Sequence, residues 1–426
     1  MTSILRDSLF FRLWLATSFS AFGSSITFIA LPIMGAVILN AGPAEMGVLA
    51  ALGTAPFLIL GPFVGVFADR FKRKNIMIIA DVFRACVLAI IPACYFSDML
   101  SMEVLYITAL GVGIGDVWFD IAHGSYLPSV VDKDKLVDAH SKLEVSYSSA
   151  DIAGPGVAGG LIQVFSAPIA IIIDSATYLL SALLLLTIRK KEPQTEHENS
   201  GDAAAPSILS DMKEGFVFIF KHKLLRRLCI RLGVWQFVLG GIFAMLVLYI
   251  VNILQFTAVQ VGFFFTVMGA GVFLGSLISP KVSASFGVGP TIIFSNLLAP
   301  IAGGLLLLAS DNGLASMVLV SIAFFITGLT SINYQINNAS LRQVITPNKM
   351  LGRMGATTRA FTLGLNAIGA LLAGFAAEIF TLQMVMSALV ALGAVLAFVG
   401  LFSSELMAQK AMPEGPEEDR GPEPAQ

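Results

Sequence analysis

Long runs of apolar residues, each close to one membrane thickness, divide this chain. Read between charges and turn residues, they fall at 13–39, 46–68, 76–96, 104–127, 143–165 and 167–188. A second set follows at 229–251, 259–280, 291–309, 315–340, 355–379 and 383–402. A helix of about 20 apolar residues crosses the hydrocarbon core. Lipid offers backbone groups no water to bond with, so each run must be a helix or part of a closed barrel. These runs are continuous and do not alternate with polar residues, which selects helices. The pattern predicts an all-α membrane protein of twelve transmembrane helices, six on each side of a polar gap. The first run is too long for a signal peptide, lacks a small-residue cleavage site and leads straight into the second span.

The segments between and beyond the spans complete the layout. Residues 192–207 (EPQTEHENSGDAAAPS) are polar and read as a disordered linker. Residues 210–227 (SDMKEGFVFIFKHKLLRR) read as a basic amphipathic helix at the inner surface. The Pro- and Glu-rich tail from 408 reads as disordered. The expected domains are therefore a first six-helix bundle at 1–190, linker and amphipathic helix at 191–227, a second bundle at 228–403, and a cytoplasmic tail at 404–426.

Composition agrees. Hydrophobic residues make up 56% of the 426 and charged residues 13%, against about 25% charged in a typical soluble domain. So few charges exclude a soluble multidomain enzyme, a disordered chain and a nucleic-acid binder; the expected partner is the lipid bilayer. Cys86, Cys94 and Cys229 form neither a disulfide framework nor a CxxC metal site, and no metal or cofactor is expected. The basic residues then orient the chain. Of 26 Lys and Arg, all but Arg84 lie before span 1, in the 2–3, 4–5, 6–7, 8–9 and 10–11 connections or just inside the spans that follow them (Arg231, Arg359), or in the tail. The positive-inside rule places both termini in the cytoplasm of a cell-membrane protein.

The two halves carry a faint repeat at an offset of 214 residues. LPSVVDKDKLV (127–137) lies over LRQVITPNKML (341–351), Gly160 falls on Gly374, and Gly61 on Gly275. A two-half architecture places a substrate pathway near the bilayer midplane.

Between spans 2 and 3 stands GVFADRFKRK (65–74). Gly61 and Gly65 permit close helix packing. Asp69 suits a helix end, and Arg70, Lys72, Arg73 and Lys74 suit anionic headgroups. This loop resembles the G-x-x-x-D-R-x-x-R-K signature of the major facilitator superfamily, matched by Gly65, Asp69, Arg70, Arg73 and Lys74. The resemblance extends over about residues 8–403. It implies an alternating-access transporter in which Asp69 and its basic neighbours latch an inner gate. Span 5 carries AGPGVAGG (153–160), which looks like the export-type motif of superfamily antiporters at Gly154, Pro155, Gly159 and Gly160, with one extra residue between the two pairs. A glycine patch for helix packing is the other reading. The phrases FRLWLATSFSAFGSSI, DVFRA, LPSVVDKDKLVDAHSKLE and DSATYLLSALLLL resemble the branch of enterobactin exporters and macrolide efflux proteins. That branch also includes lysophospholipid transporters.

A charge at the bilayer centre costs about 2.5–3.5 kcal/mol on insertion scales, so the few intramembrane charges carry information. Asp81 and Arg84 are three apart on span 3 and can pair, as a structural ion pair or a gating element. Span 4 aligns Asp116, Asp120 and His123, span 5 adds Glu144 and Asp151, and Asp174 lies in span 6. Asp120 leads as a proton site, followed by Asp116 and Asp151, because burial makes a carboxylate exchange protons in the neutral range. Many proton antiporters of the family hold an Arg in span 4 within R-x-x-x-G. Here Ile107, Ala109 and Gly111 occupy those positions, leaving Arg84 as the substitute. For substrate, span 10 offers Asn333, Tyr334 and Asn337, which can equally join helices, and span 4 offers Trp118.

The chain has no GxxxxGK(S/T) loop, no HExxH and no GxSxG, so neither ATP hydrolysis nor an intramembrane enzyme is indicated. The expected function is a proton-coupled exporter of a small amphipathic or hydrophobic molecule, acting as a monomer. The alternatives are an uptake symporter, a lysophospholipid flippase and, from another class, a non-transporting sensor.

Overall fold

The computed structural model describes residues 4–131, 135–189, 208–347, 350–402 and 407; the linker reading at 192–207 and the tail reading from 408 lie outside them. The regular structure among these residues is helical. The first six long helices are α1 (Ser8–Ile33), α2 (Pro43–Arg70), α3 (Arg73–Phe96), α4 (Met102–Val130), α5 (Leu136–Phe165) and α6 (Ala167–Leu186). After a shorter α7 (Ile208–Lys221) come α8 (Lys223–Leu248), α9 (Ala258–Phe286), α10 (Val288–Leu308), α11 (Leu314–Val344), α12 (Leu351–Ile379) and α13 (Leu382–Leu401). Among the described residues, eleven helices are long and apolar enough to cross a membrane. Helix α5, several of whose side chains fall outside the described set, completes the twelve.

One boundary differs from the sequence reading. The basic stretch 210–227 is not a single helix. His222 takes an extended conformation and its Nδ1 accepts the N–H of Leu225 at 3.3 Å, so it ends α7 and caps α8. Residues 223–227 therefore begin the membrane helix itself, and the local cap overrides the run of charge.

The described residues fall into two compact units, one drawn from Met1–Ile208 with Thr257–Thr266, the other from Leu209–Phe256 with Val267–Gln426. In the first, α1 packs on α5 and α6, α3 on α4 and α6, and α2 on α4. In the second, α8 packs on α12 and α13, and α10 on α11 and α13.

The structure repeats the helices, but at an offset of 215 in place of the 214 read from the sequence, and α4 and α11 begin 212 apart. Helices begin at residues 8 and 223, 43 and 258, 73 and 288, 136 and 351, and 167 and 382, each pair 215 apart. Even an irregularity repeats. Helix α1 ends in a widened turn closed by Leu39 N–H donating to Met34 O at 3.0 Å, and α8 ends in the same turn closed by Leu254 N–H to Tyr249 O at 3.1 Å. Asn40 and Gln255 then reverse the chain with φ of 51° and 59°.

Close helix crossings repeat at the same offset. A Cβ on Gly113 would lie 2.6 Å from Gly53 O, and one on Gly328 would lie 2.0 Å from Met268 O. Likewise a Cβ on Gly154 would meet Ser25 Cβ at 2.4 Å, and one on Gly369 would meet Phe237 O at 1.9 Å. Backbone atoms cannot turn aside as side chains can. Gly369→Ala is therefore expected to cost about 1–3 kcal/mol, and more than Gly154→Ala, whose obstacle is a serine side chain. Thermal unfolding of the purified variants checks the order; equal melting temperatures would contradict it.

Candidate functional site

The first unit buries an ionic cluster. Helix α3 carries Asp81 and Arg84 one turn apart, where no water reaches either: Asp81 is 0% and Arg84 3% exposed. Arg84 Nη2 donates to Asp81 Oδ1, and Arg84 Nη1 donates to Asp116 Oδ1 on α4 at 2.6 Å. Asp116 differs from Asp81 in that about a third of its side chain (35%) is exposed. The guanidinium also lies over two rings, 4.5 Å from the centroid of Phe119 on α4 and 4.2 Å from that of Tyr178 on α6. These rings replace part of its lost hydration. Gly115 makes the room, since a Cβ there would sit 2.4 Å from Arg84 Cγ.

A second layer reaches α6 and α1. The Tyr178 hydroxyl hydrogen-bonds Ser24 at 2.9 Å. Asp174, 0% exposed, accepts from Thr27 Oγ1 on α1 and from Thr177 Oγ1 at 3.2 Å. Ser175 Oγ donates to Ala85 O at 2.9 Å and fastens α6 to α3. One fixed cation and three carboxyls therefore occupy the interior of a single helix bundle. At 215 residues further on, the second unit has Asn296, Ala299, Ser331, Leu389 and Gly393 in place of Asp81, Arg84, Asp116, Asp174 and Tyr178. The repeat preserves the helices and drops the charges.

The structure sorts the other candidates. Asp120 is exposed, one turn beyond Asp116; the burial on which its selection rested belongs instead to Asp81 and Asp174. His123 stacks on Phe119 with centroids 6.0 Å apart. The side chains of Asp151, Glu144 and Pro155 lie outside the described set, while Gly159 is buried and Gly160 exposed. Trp118 packs against the inner hydrophobic cluster of Phe10, Leu13, Tyr126 and Leu127. In the second unit, Tyr334 is 2% exposed. Asn337 Nδ2 donates to Ser279 Oγ at 3.2 Å while its Oδ1 accepts from Ser283 Oγ at 2.6 Å, joining α11 to α9. Asn333 Nδ2 donates to Leu329 O at 2.8 Å within its own helix.

Of the loop motif, the side chains of Gly65, Asp69 and Arg70 lie outside the described set. Arg73 Nη1 donates to Ser125 O at 3.3 Å and Lys74 Nζ to Ile188 O at 2.6 Å. Arg12 Nη1 adds a bond to Thr187 O at 2.6 Å. Arg12 and Lys74 bond carbonyls just past the end of α6, where cations oppose the helix's negative end, and Arg73 ties the start of α3 to α4.

The sequence reading missed Ser24, Thr27 and Tyr178 as members of the cluster. Their signal was present: Ser20, Ser24 and Thr27 recur at helical spacing on one face of an otherwise apolar span.

With this geometry in view, known proteins sharpen the picture. The profile of the Major Facilitator Superfamily matches residues 13–358. The uncharacterized MFS-type transporter YfiS of Bacillus subtilis (strain 168) is 29% identical over 378 residues, covering 83% of this chain and 84% of its own. The enterobactin exporter EntS of Escherichia coli O127:H6 is 25% identical, covering 87% and 86%. Macrolide efflux protein A of Enterococcus faecalis is 25% identical, covering 56% of this chain and 72% of its own. Among solved structures, the nucleoside transporter NupG superposes with a TM-score of 0.73 at 14% identity, over 92% of this chain and 98% of its own. A bacterial homolog of the human lysosomal transporter Spinster, in an inward-facing conformation, superposes with a TM-score of 0.69 at 16% identity, over 96% and 99%. At such identities the superpositions speak to the fold.

Proposed function

We infer the function from one premise: this chain belongs to the Major Facilitator Superfamily, and it is a multi-pass membrane transporter of small molecules. We propose that it exports a small amphipathic or hydrophobic molecule in exchange for protons, as a monomer with both termini in the cytoplasm. The observation that carries the coupling is the sharing of Arg84 between a sealed carboxylate, Asp81, and a half-open one, Asp116. Asp116 is partly open and can exchange a proton, whereas Asp81 is shut away. When Asp116 takes a proton it loses its charge, and Arg84 is left to Asp81 alone. The strength with which α4 is held to α3 then depends on protonation, as a coupled alternating-access cycle requires. Tyr178 holds Arg84 from α6, and Asp174 holds α6 to α1 through Thr27.

Export is supported by the glycine-rich segment of α5 and by the exporters among the relatives. The loop between α2 and α3, with Asp69, Arg70, Arg73 and Lys74, serves as the inner latch. One charge moving through 100 mV is worth about 2.3 kcal/mol, enough for a roughly 40-fold cargo gradient. Everted vesicles carrying the protein are thus expected to accumulate cargo up to about that ratio when a proton gradient is imposed, and none after it is collapsed. Macrolides and catecholate siderophores are the cargoes to try. Accumulation that ignores the proton gradient would remove the coupling, and accumulation only in right-side-out vesicles would reverse the direction.

A further inference from the structure

The second unit contains a cavity of about 280 Å³ that the transport cycle described above does not use. It lies between the start of α8, the end of α13 and α10, and is lined among others by Arg227, Arg231, Trp235, Asn296, Leu396 and Val399. Arg231 projects from α8 across it. Two of its guanidinium nitrogens, Nε and Nη2, are buried and have no hydrogen-bond partner among the described residues. A buried guanidinium without an acceptor is costly, and among the described residues no acidic one lines this cavity.

Comparison of the two repeats shows how the cavity was made. The positions 215 residues earlier are Ala16 for Arg231 and Leu185 for Gly400. In the first unit Ala16 and Leu185 are both 0% exposed and belong to one closed apolar cluster. In the second unit the leucine has become glycine and the alanine arginine. A Cβ on Gly400 would lie 1.5 Å from Arg231 Nη2. The glycine therefore supplies the space that the guanidinium occupies, and the apolar contact of the first repeat is replaced by a positively charged one at the cavity's edge.

The mouth identifies the occupant. Ile230 and Val399, both in the lining, are 40% and 60% exposed apolar side chains on helices of membrane-spanning length, so the cavity is bordered by an exposed apolar wall. Arg227, exposed, stands one turn before Arg231, at the helix end where Lys223 and Arg226 also gather. We propose that this cavity binds the phosphate of an anionic phospholipid, with Arg231 as the inner anchor, Arg227 at the headgroup level and an acyl chain along Ile230, Leu396 and Val399. Guanidinium pairs with phosphate through parallel hydrogen bonds, and basic pockets between membrane helices suit anionic headgroups. A free phosphate shares the anchor but leaves the apolar wall unused.

Native mass spectrometry of the full-length protein released from detergent tests this. With phosphatidylglycerol and phosphatidylcholine of matched chains supplied together, one phosphatidylglycerol is expected to be retained about five- to tenfold over phosphatidylcholine, the worth of one well-placed cation. Arg231→Met is expected to bring the two lipids to parity, and Arg231→Lys to retain part of the preference. Inorganic phosphate in excess is expected not to displace the lipid. Equal retention of both lipids by the wild type, an undiminished preference in Arg231→Met, or displacement by inorganic phosphate would each overturn the proposal. Should Arg231→Met not fold, the wild-type lipid comparison and Arg231→Lys decide it.

Discussion

Replacing Arg84 with methionine is expected to destabilise the protein by about 3–5 kcal/mol and to abolish transport. The reason is asymmetry. With Arg84 present, Asp81 and Asp116 share one cation that also lies over the rings of Phe119 and Tyr178. Methionine fills much of the same volume but leaves Asp81 at 0% exposure with no counter-charge. Removing one partner of a buried pair costs far more than the intact pair contributes, because the survivor stays desolvated. Adding Asp81→Asn and Asp116→Asn to the same variant is expected to recover most of the thermal stability, since three neutral side chains of similar shape are then buried together. Transport is expected to stay absent in the triple variant. Thermal unfolding in detergent reads the first effect and vesicle uptake the second. Wild-type transport by Arg84→Met, or by the triple variant, would remove the cluster from the mechanism.

Asp116→Asn is expected to leave the folded protein near wild-type stability and to reduce proton-driven accumulation from up to about 40-fold to none. Asparagine keeps an oxygen that can accept from Arg84 Nη1, and the 35% exposure of the side chain limits the penalty of losing its charge. What asparagine lacks is the exchangeable proton. Cargo exchange without a gradient is therefore expected to survive, while proton uptake on cargo addition disappears, as followed with a pH-sensitive dye inside proteoliposomes. Asp120→Asn is the matched control. Its exposed carboxylate stands one turn away on the same helix, so its loss is expected to change the rate and preserve the coupling. The reverse outcome, coupling lost with Asp120 and kept without Asp116, would move the proton site one turn along α4.

How far the residues alone reached can be judged from particular cases. The twelve helices were legible because lipid admits one way of satisfying the backbone over a long apolar run. The pairing of Asp81 with Arg84 was legible too, because spacing within one helix sets which side chains meet. Asp116 and Asp120 could not be separated in this way. They sit one turn apart on one span, and which of them meets Arg84 depends on how α4 is rotated and how deeply it lies against α3. That register is set at a contact the one-dimensional pattern does not record, where Gly115 lets the methylene stem of Arg84 lie against α4. The same holds for Tyr178 and Thr27, which reach the cluster from helices distant in sequence.

The repeat shows both sides of this division. Eleven aligned residues and two glycine pairs suggested an offset of 214; the helices, the widened turns and the crossing glycines set it one residue longer, at 215. Only in three dimensions could it be seen that the halves use one scaffold differently, with an ionic cluster in the first and a guanidinium-lined cavity in the second. By itself the sequence determined the membrane as solvent, the number of crossings, the expected side of the basic loops and the family, since each follows from local composition, spacing or motif. Tertiary structure decided which acid holds the buried arginine and where Arg231 finds its space. Those outcomes depend on ångström-scale contacts between helices, and a single missing Cβ is enough to change them.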